Sequence, residues 1–184
     1  MGLSLFRLDP TMNPALIIAK KRDGLALGPR EIADFISGFS QGLVPDYQMA
    51  ALAMAVYLRG MTADETAALT DAMLASGRLA LPGVLTPTEV AAAMRAGVHG
   101  VKLFPAGTLG IAHMRALFGP FPGLRVVPTG GITIAGARTW LDAGAVAVGL
   151  GGELVPGALR VAGAWGEIAR NASLLVERLG AKQQ

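Results

Sequence analysis

The 184-residue sequence contains no cysteine, which excludes disulfides and thiolate chemistry and leaves the redox compartment open. No apolar run reaches the ~18 residues that a membrane span needs, although 52% of residues are hydrophobic and the mean hydropathy is +0.49. The opening "MGLSLFRLDPTMNP" has too short an apolar segment for a secretory signal, with Arg7 and Asp9 close behind it. A cytoplasmic protein with no membrane partner is the expectation. Charge is sparse, at 16% of residues with a net of +3 and a pI near 9.7. The basic residues are scattered apart from "KKR" at 20–22, and no basic stripe interleaves with aromatics, so no nucleic-acid partner is expected. His99 and His113 lack a ligand-spaced neighbour, so neither a metal site nor a cofactor is expected.

Two patterns occupy the chain, which is long enough for one domain or two small ones. From Asn13 to Gly77 the pattern is helical. "NPALIIAKKRDG" has an N-cap asparagine, Pro14 at the first helical position and a terminal Gly24. "GPREIADFISGFSQG" sets Ile32, Phe35, Ile36 and Phe39 on one face. "PDYQMAALAMAVYLRG" is apolar nearly all round, which predicts the central helix of the group. "TADETAALTDAMLASG" opens on a capping box, Thr62 with Glu65.

After Gly77, short apolar runs alternate with helical segments: "LALPGV", "VHGVKLF", "LRVVPTGG" and "AVAVGLGG" each precede one, at intervals of roughly 20–25 residues. Thr86 and Glu89 form a second capping box with Pro87 behind the cap. This rhythm predicts parallel strands. Four βα units are half of the eight in a closed barrel, which takes about 250 residues. The expected fold is therefore α/β: a helical bundle over residues 1–77, then four βα units over 78–184 forming a parallel half-barrel or open sheet.

Within "VKLF", alternation puts Val101 and Leu103 on one face and Lys102 and Phe104 on the other. A neutral lysine in an apolar pocket attacks carbonyls and forms a Schiff base that serves as an electron sink. A lysine near a strand's end that snorkels to water is the other reading of the same position. "PTGGI" and "VGLGG" end the third and fourth runs. Glycines there let backbone N–H groups approach a phosphate, and turns use glycine for other reasons too.

Two family resemblances follow from these motifs. "LIIAKKRDGLAL", "VPDYQMAALAMAVYLRGMT" and "ETAALTDAM" resemble the N-terminal helices of pyrimidine nucleoside (thymidine) phosphorylases. In that family these helices contribute much of the homodimer interface, which implies self-association here. The family's Lys-His-Ser-Thr-Gly-Gly-type phosphate loop does not follow Gly77, so the resemblance does not extend to phosphorolysis. "LPGVLTPTEV", "VKLFPA", "FPGLRVVPTGGI" and "VGLGGELVPG" resemble the second half of 2-keto-3-deoxy-6-phosphogluconate (KDPG) aldolases. By that resemblance Lys102 matches the Schiff-base lysine, and Pro82 and Phe104 match pocket residues. Thr129, Gly130, Gly131, Gly151 and Gly152 match the phosphate cup. Family members often carry serine where Gly152 stands, and Glu153 beside it would repel a phosphate if it pointed inward.

No counterpart of the aldolase's first four strands is recognised, nor of the glutamate acid/base and basic substrate-binding residues they carry. Proton transfer by a positioned acid/base contributes ~10²–10⁴-fold, so slow or undetectable turnover is expected even where an imine forms; Glu153 is the candidate stand-in. A half-barrel needs its inner face covered. Either the helical unit folds onto it or two chains associate about a two-fold axis. The two resemblances together imply a recombined or artificial chimera, with a natural gene fusion as the other origin. The functional expectation is an oligomeric scaffold with little or no turnover that keeps a vestigial Schiff-base lysine and phosphate loops. Weak class I aldolase activity on 2-keto acids or sugar phosphates is the alternative. The expected partners are a second copy of the chain and phosphate, sulfate or a small 2-keto acid.

Overall fold

A computed structural model describes residues 13–180, so the opening segment with Arg7 and Asp9 lies outside the described residues. The chain divides into two compact units, Met1–Ala80 and Leu81–Gln184.

The first unit holds four helices: α1 (Pro14–Arg22), α2 (Pro29–Ser40), α3 (Asp46–Arg59) and α4 (Ala63–Ala75). Their ends follow local chemistry. The Asn13 side chain accepts from Ala15 N–H at 3.0 Å, with Pro14 in the first turn. Thr62 and Glu65 make the reciprocal capping box that opens α4. Helix α1 packs on α3 and α2 on α4 around Ile17, Leu27, Ile32, Phe35, Ile36 and Leu52.

The central helix is α2, not α3. Phe35 is fully buried and Ile32 and Ile36 flank it, whereas α3 buries only Leu52 and Ala55 and exposes Tyr47, Met54, Tyr57 and Leu58. The all-round apolarity of α3 marks a second apolar face outside this unit's core.

A buried ion pair ties the bundle together. Lys21 Nζ donates to both carboxylate oxygens of Glu65, at 2.8 and 2.9 Å. The same carboxylate accepts from Leu27 N–H and Thr62 N–H, each at 2.8 Å. Burial pushes the Glu65 carboxyl up, but these backbone and lysine hydrogen bonds, with the lysine charge, outweigh it and hold the group at about 2.

The second unit contains a parallel sheet in sequential order, β1 (Gly83–Val84), β2 (Val101–Leu103) and β3 (Val126–Pro128). Helices α5 (Pro87–Arg95) and α6 (Ala106–Phe118) make the crossovers, α6 being interrupted at Gly110 (φ 76°, ψ 171°). Helix α7 (Ala137–Asp142) follows β3, and α8 (Gly157–Val161) and α9 (Trp165–Gly180) end the unit. Val84, Val101, Leu103 and Val126 form one core with Val90 and Ala93 of α5, Met114 and Leu117 of α6, and Ala137 and Trp140 of α7. Each fully buried aliphatic side chain there contributes about 1.5–3 kcal/mol.

The fourth apolar run differs from expectation. Residues 145–150 join β3 through Val146 N–H to Val126 O, Gly149 N–H to Pro128 O and one parallel bridge, Thr129 with Gly149, instead of a regular strand. Glycines at 149, 151 and 152 weaken strand pairing there. Among the described residues, no helix is long and apolar enough to cross a membrane.

Candidate functional site

Strand β2 sorts its side chains by alternation. Val101 and Leu103 are fully buried in the core, Lys102 is half-buried, and Phe104, just beyond the strand, is 51% exposed. The register places Gly83, Lys102 and Val127 in one row across the sheet. They occupy the face opposite the helix-covered core. Lys102 N–H donates to Pro82 O at 2.9 Å, so the lysine's backbone is locked beside Pro82. A Cβ placed at Gly83 would meet no atom within 4 Å, leaving open space next to Lys102. The ammonium lies 5.1 Å from the centre of the Phe104 ring, within cation–π range.

The Phe104 ring also joins the strand to the glycine loop after β3. Gly130 (φ 83°) has the ring packed on it so closely that a Cβ there would stand 2.6 Å from Cε2. Ala106 N–H donates to Thr129 O and Gly107 N–H to Gly130 O, at 2.9 and 2.8 Å. The structure therefore gathers Lys102, Phe104, Thr129 and Gly130 through direct contacts, with Pro82 on the other side of the lysine. Gly131 (φ 75°) continues that loop against Gly107.

The second glycine loop begins alongside the first at the Thr129–Gly149 bridge. Gly151 and Gly152 are exposed and have open space where side chains would be. Glu153 reaches from this loop to the first, accepting from Ile134 N–H at 3.4 Å.

Several other polar residues of this unit have structural partners. His113 Nε2 lies 2.8 Å from Leu85 O. Glu89 accepts from Leu85 N–H and Thr86 N–H, and these bonds lower its pKa. Asp142 pairs with Arg138 at 2.8 Å. Two open clefts of about 750 and 980 Å³ lie instead in the helical unit, the first lined by Ala33, Asp64 and Asp71 and the second by Phe39, Met49, Met73 and Arg78. Neither includes a residue of the Lys102 face.

Parallel strands in sequential order, helices on one face and glycine loops at the strands' C-terminal ends are the arrangement of successive (βα) units, here as an open three-stranded sheet with one further bridge. More particularly, the chain belongs to the KDPG and KHG aldolase family, whose model matches residues 40–171. The match begins at the last residue but one before Gly42, inside the helical unit. The aldolase of Zymomonas mobilis ZM4, solved with 3-phosphoglycerate, is 21% identical with a TM-score of 0.52, covering 94% of this chain and 89% of that one. The native KDPGal structure is 22% identical with a TM-score of 0.50, covering 91% and 92%. At such identities these likenesses show the fold.

A second similarity lies at the N-terminus. A pyrimidine-nucleoside phosphorylase of Geobacillus stearothermophilus is 57% identical over 61 residues, 33% of this chain and 14% of that protein. One from Staphylococcus aureus is 56% identical over the same length. The matched stretch thus spans about a seventh of these curated relatives.

Proposed function

We propose that the chain joins a phosphorylase-like helical segment to an aldolase-type half-barrel. The joined protein is a homo-oligomeric scaffold with little or no turnover whose Lys102 retains imine chemistry. One observation carries the reading. Lys102 shares its sheet face with the open space at Gly83, and Phe104 links it to the loop of Thr129, Gly130 and Gly131. A 2-keto acid placed there presents its ketone to Nζ. The amine adds to the carbonyl carbon, and water leaves as the imine forms. The glycine loops supply the distal end of the ligand with backbone amides, with Gly151 and Gly152 on the second side.

Borohydride with pyruvate tests this reading, because it reduces the imine to a stable secondary amine. The expected result is a mass adduct on Lys102 and not on Lys20, Lys21 or Lys182. No adduct, or one spread over all four lysines, overturns it.

Family membership over residues 40–171 favours a second reading, a slow lyase that cleaves a 2-keto acid at its carbon–carbon bond. Pyruvate released in a coupled assay from KDPG or from its unphosphorylated counterpart, and abolished by Lys102→Met, would establish it. Absence of release alongside a Lys102 adduct would leave the scaffold reading.

Self-association is assigned to α3, where Tyr47, Met54, Tyr57 and Leu58 form an exposed apolar face. The phosphorylase-like character of the segment supports a second copy as the occupant.

A further inference from the structure

We propose that Glu153 sets the ligand class of the Lys102 site, excluding a phosphorylated 2-keto acid and admitting one whose distal end carries hydroxyl groups. The inference rests on the reading of the Lys102 face as a 2-keto acid site.

Both ends of the Glu153 side chain belong to the loops that would cradle a distal phosphate. Its backbone follows Gly152 directly, and its carboxylate accepts from the N–H of Ile134, three residues beyond Gly131. Glu153 is exposed, and this single bond ties its carboxylate to the segment that follows Gly131. A carboxylate beside these loops opposes a phosphate dianion. It also takes an amide donor that an anionic oxygen would otherwise use. A carboxylate only accepts hydrogen bonds, so the group that suits it is a donor, which a hydroxyl supplies and a phosphate dianion does not. The loop residues Thr129, Gly130, Gly131, Gly151 and Gly152 are themselves neutral.

The test is a calorimetric titration of inorganic phosphate into the full chain and into Glu153→Gln at constant ionic strength, with circular dichroism confirming the fold of each. The expected result is no saturable uptake by the unaltered chain and saturable uptake by Glu153→Gln, at least about tenfold tighter. Glu153→Ser serves if the glutamine variant does not fold, with the same expectation, and Glu153→Asp should remain refractory. Equal affinity in both proteins, or no uptake in either, overturns the proposal. Pyruvate trapping on the unaltered chain separates the two readings. An adduct on Lys102 with no effect of Glu153 on phosphate removes only the role of Glu153. A Glu153-dependent phosphate response without an adduct removes the 2-keto acid reading.

Discussion

Lys21 and Glu65, 44 residues apart in sequence, form a two-oxygen ion pair inside the helical unit, with both side chains at least 95% buried. The pair joins α1 to the start of α4, and Glu65 also holds the Leu27 backbone between α1 and α2. Its geometry satisfies the carboxylate on all sides.

Breaking that pair should be costly from either side. Lys21→Met leaves Glu65 buried without its cation, and Glu65→Ala leaves the ammonium unpaired and removes the side-chain half of the α4 capping box. Each should destabilise the helical unit by about 3–5 kcal/mol. Loss of the four helices, read by far-ultraviolet circular dichroism, reports this unit during denaturant unfolding, while Trp140 fluorescence reports the second. A loss in the helical signal that leaves the Trp140 transition in place is expected, and a change under about 1 kcal/mol would contradict the assigned role.

Acid should destabilise the same unit in a defined window. Glu65 titrates at about 2 in the folded chain against 4.5 for the free side chain. Its depressed value means that the folded state is favoured fully above pH 4.5, and that this contribution, about 3 kcal/mol, fades as pH falls toward 2. Denaturation midpoints measured between pH 7 and pH 2 should therefore fall, and Glu65→Gln should flatten that part of the profile.

Neighbouring positions of β2 should respond in opposite ways. Leu103→Ala removes a fully buried side chain and should cost about 2–5 kcal/mol. Lys102→Met, on the other face, should leave stability unchanged or raised, as read by thermal melting. Equal losses at both positions would contradict the alternation.

Gly130 should not accept a side chain. At φ 83° an alanine is strained by about 1–2 kcal/mol, and its Cβ also meets the Phe104 ring. Gly130→Ala should lower the melting temperature and displace Phe104. Adding Phe104→Ala should recover only the steric part, because the backbone strain remains.

Self-association through α3 should depend on its outer face. Tyr57→Glu with Met54→Glu should shift the mass measured by light scattering toward the monomer, since both residues are exposed and lie outside this unit's core. An unchanged mass would place the contact elsewhere.

Local chemistry made much of this protein legible from its sequence. The capping boxes at Thr62–Glu65 and Thr86–Glu89 mark helix starts because the partners are three residues apart and need no distant contact. Alternation in "VKLF" separates Lys102 from Val101 and Leu103 for the same reason. The motifs around Lys102 also led to the aldolase family that the residue 40–171 match establishes. Tertiary structure decided what depends on separation in the chain. Lys21 reads only as one member of the "KKR" run until the fold brings Glu65 to it. Helix α3 reads as central because composition cannot distinguish a face toward its own core from one turned away. The fourth run reads as a strand, yet its glycines reduce it to a bridge beside Thr129. Glu153 could be placed next to a glycine loop by counting, but only the folded backbone brings its carboxylate to the Ile134 amide, because a 19-residue separation is closed by sheet packing and by no local rule.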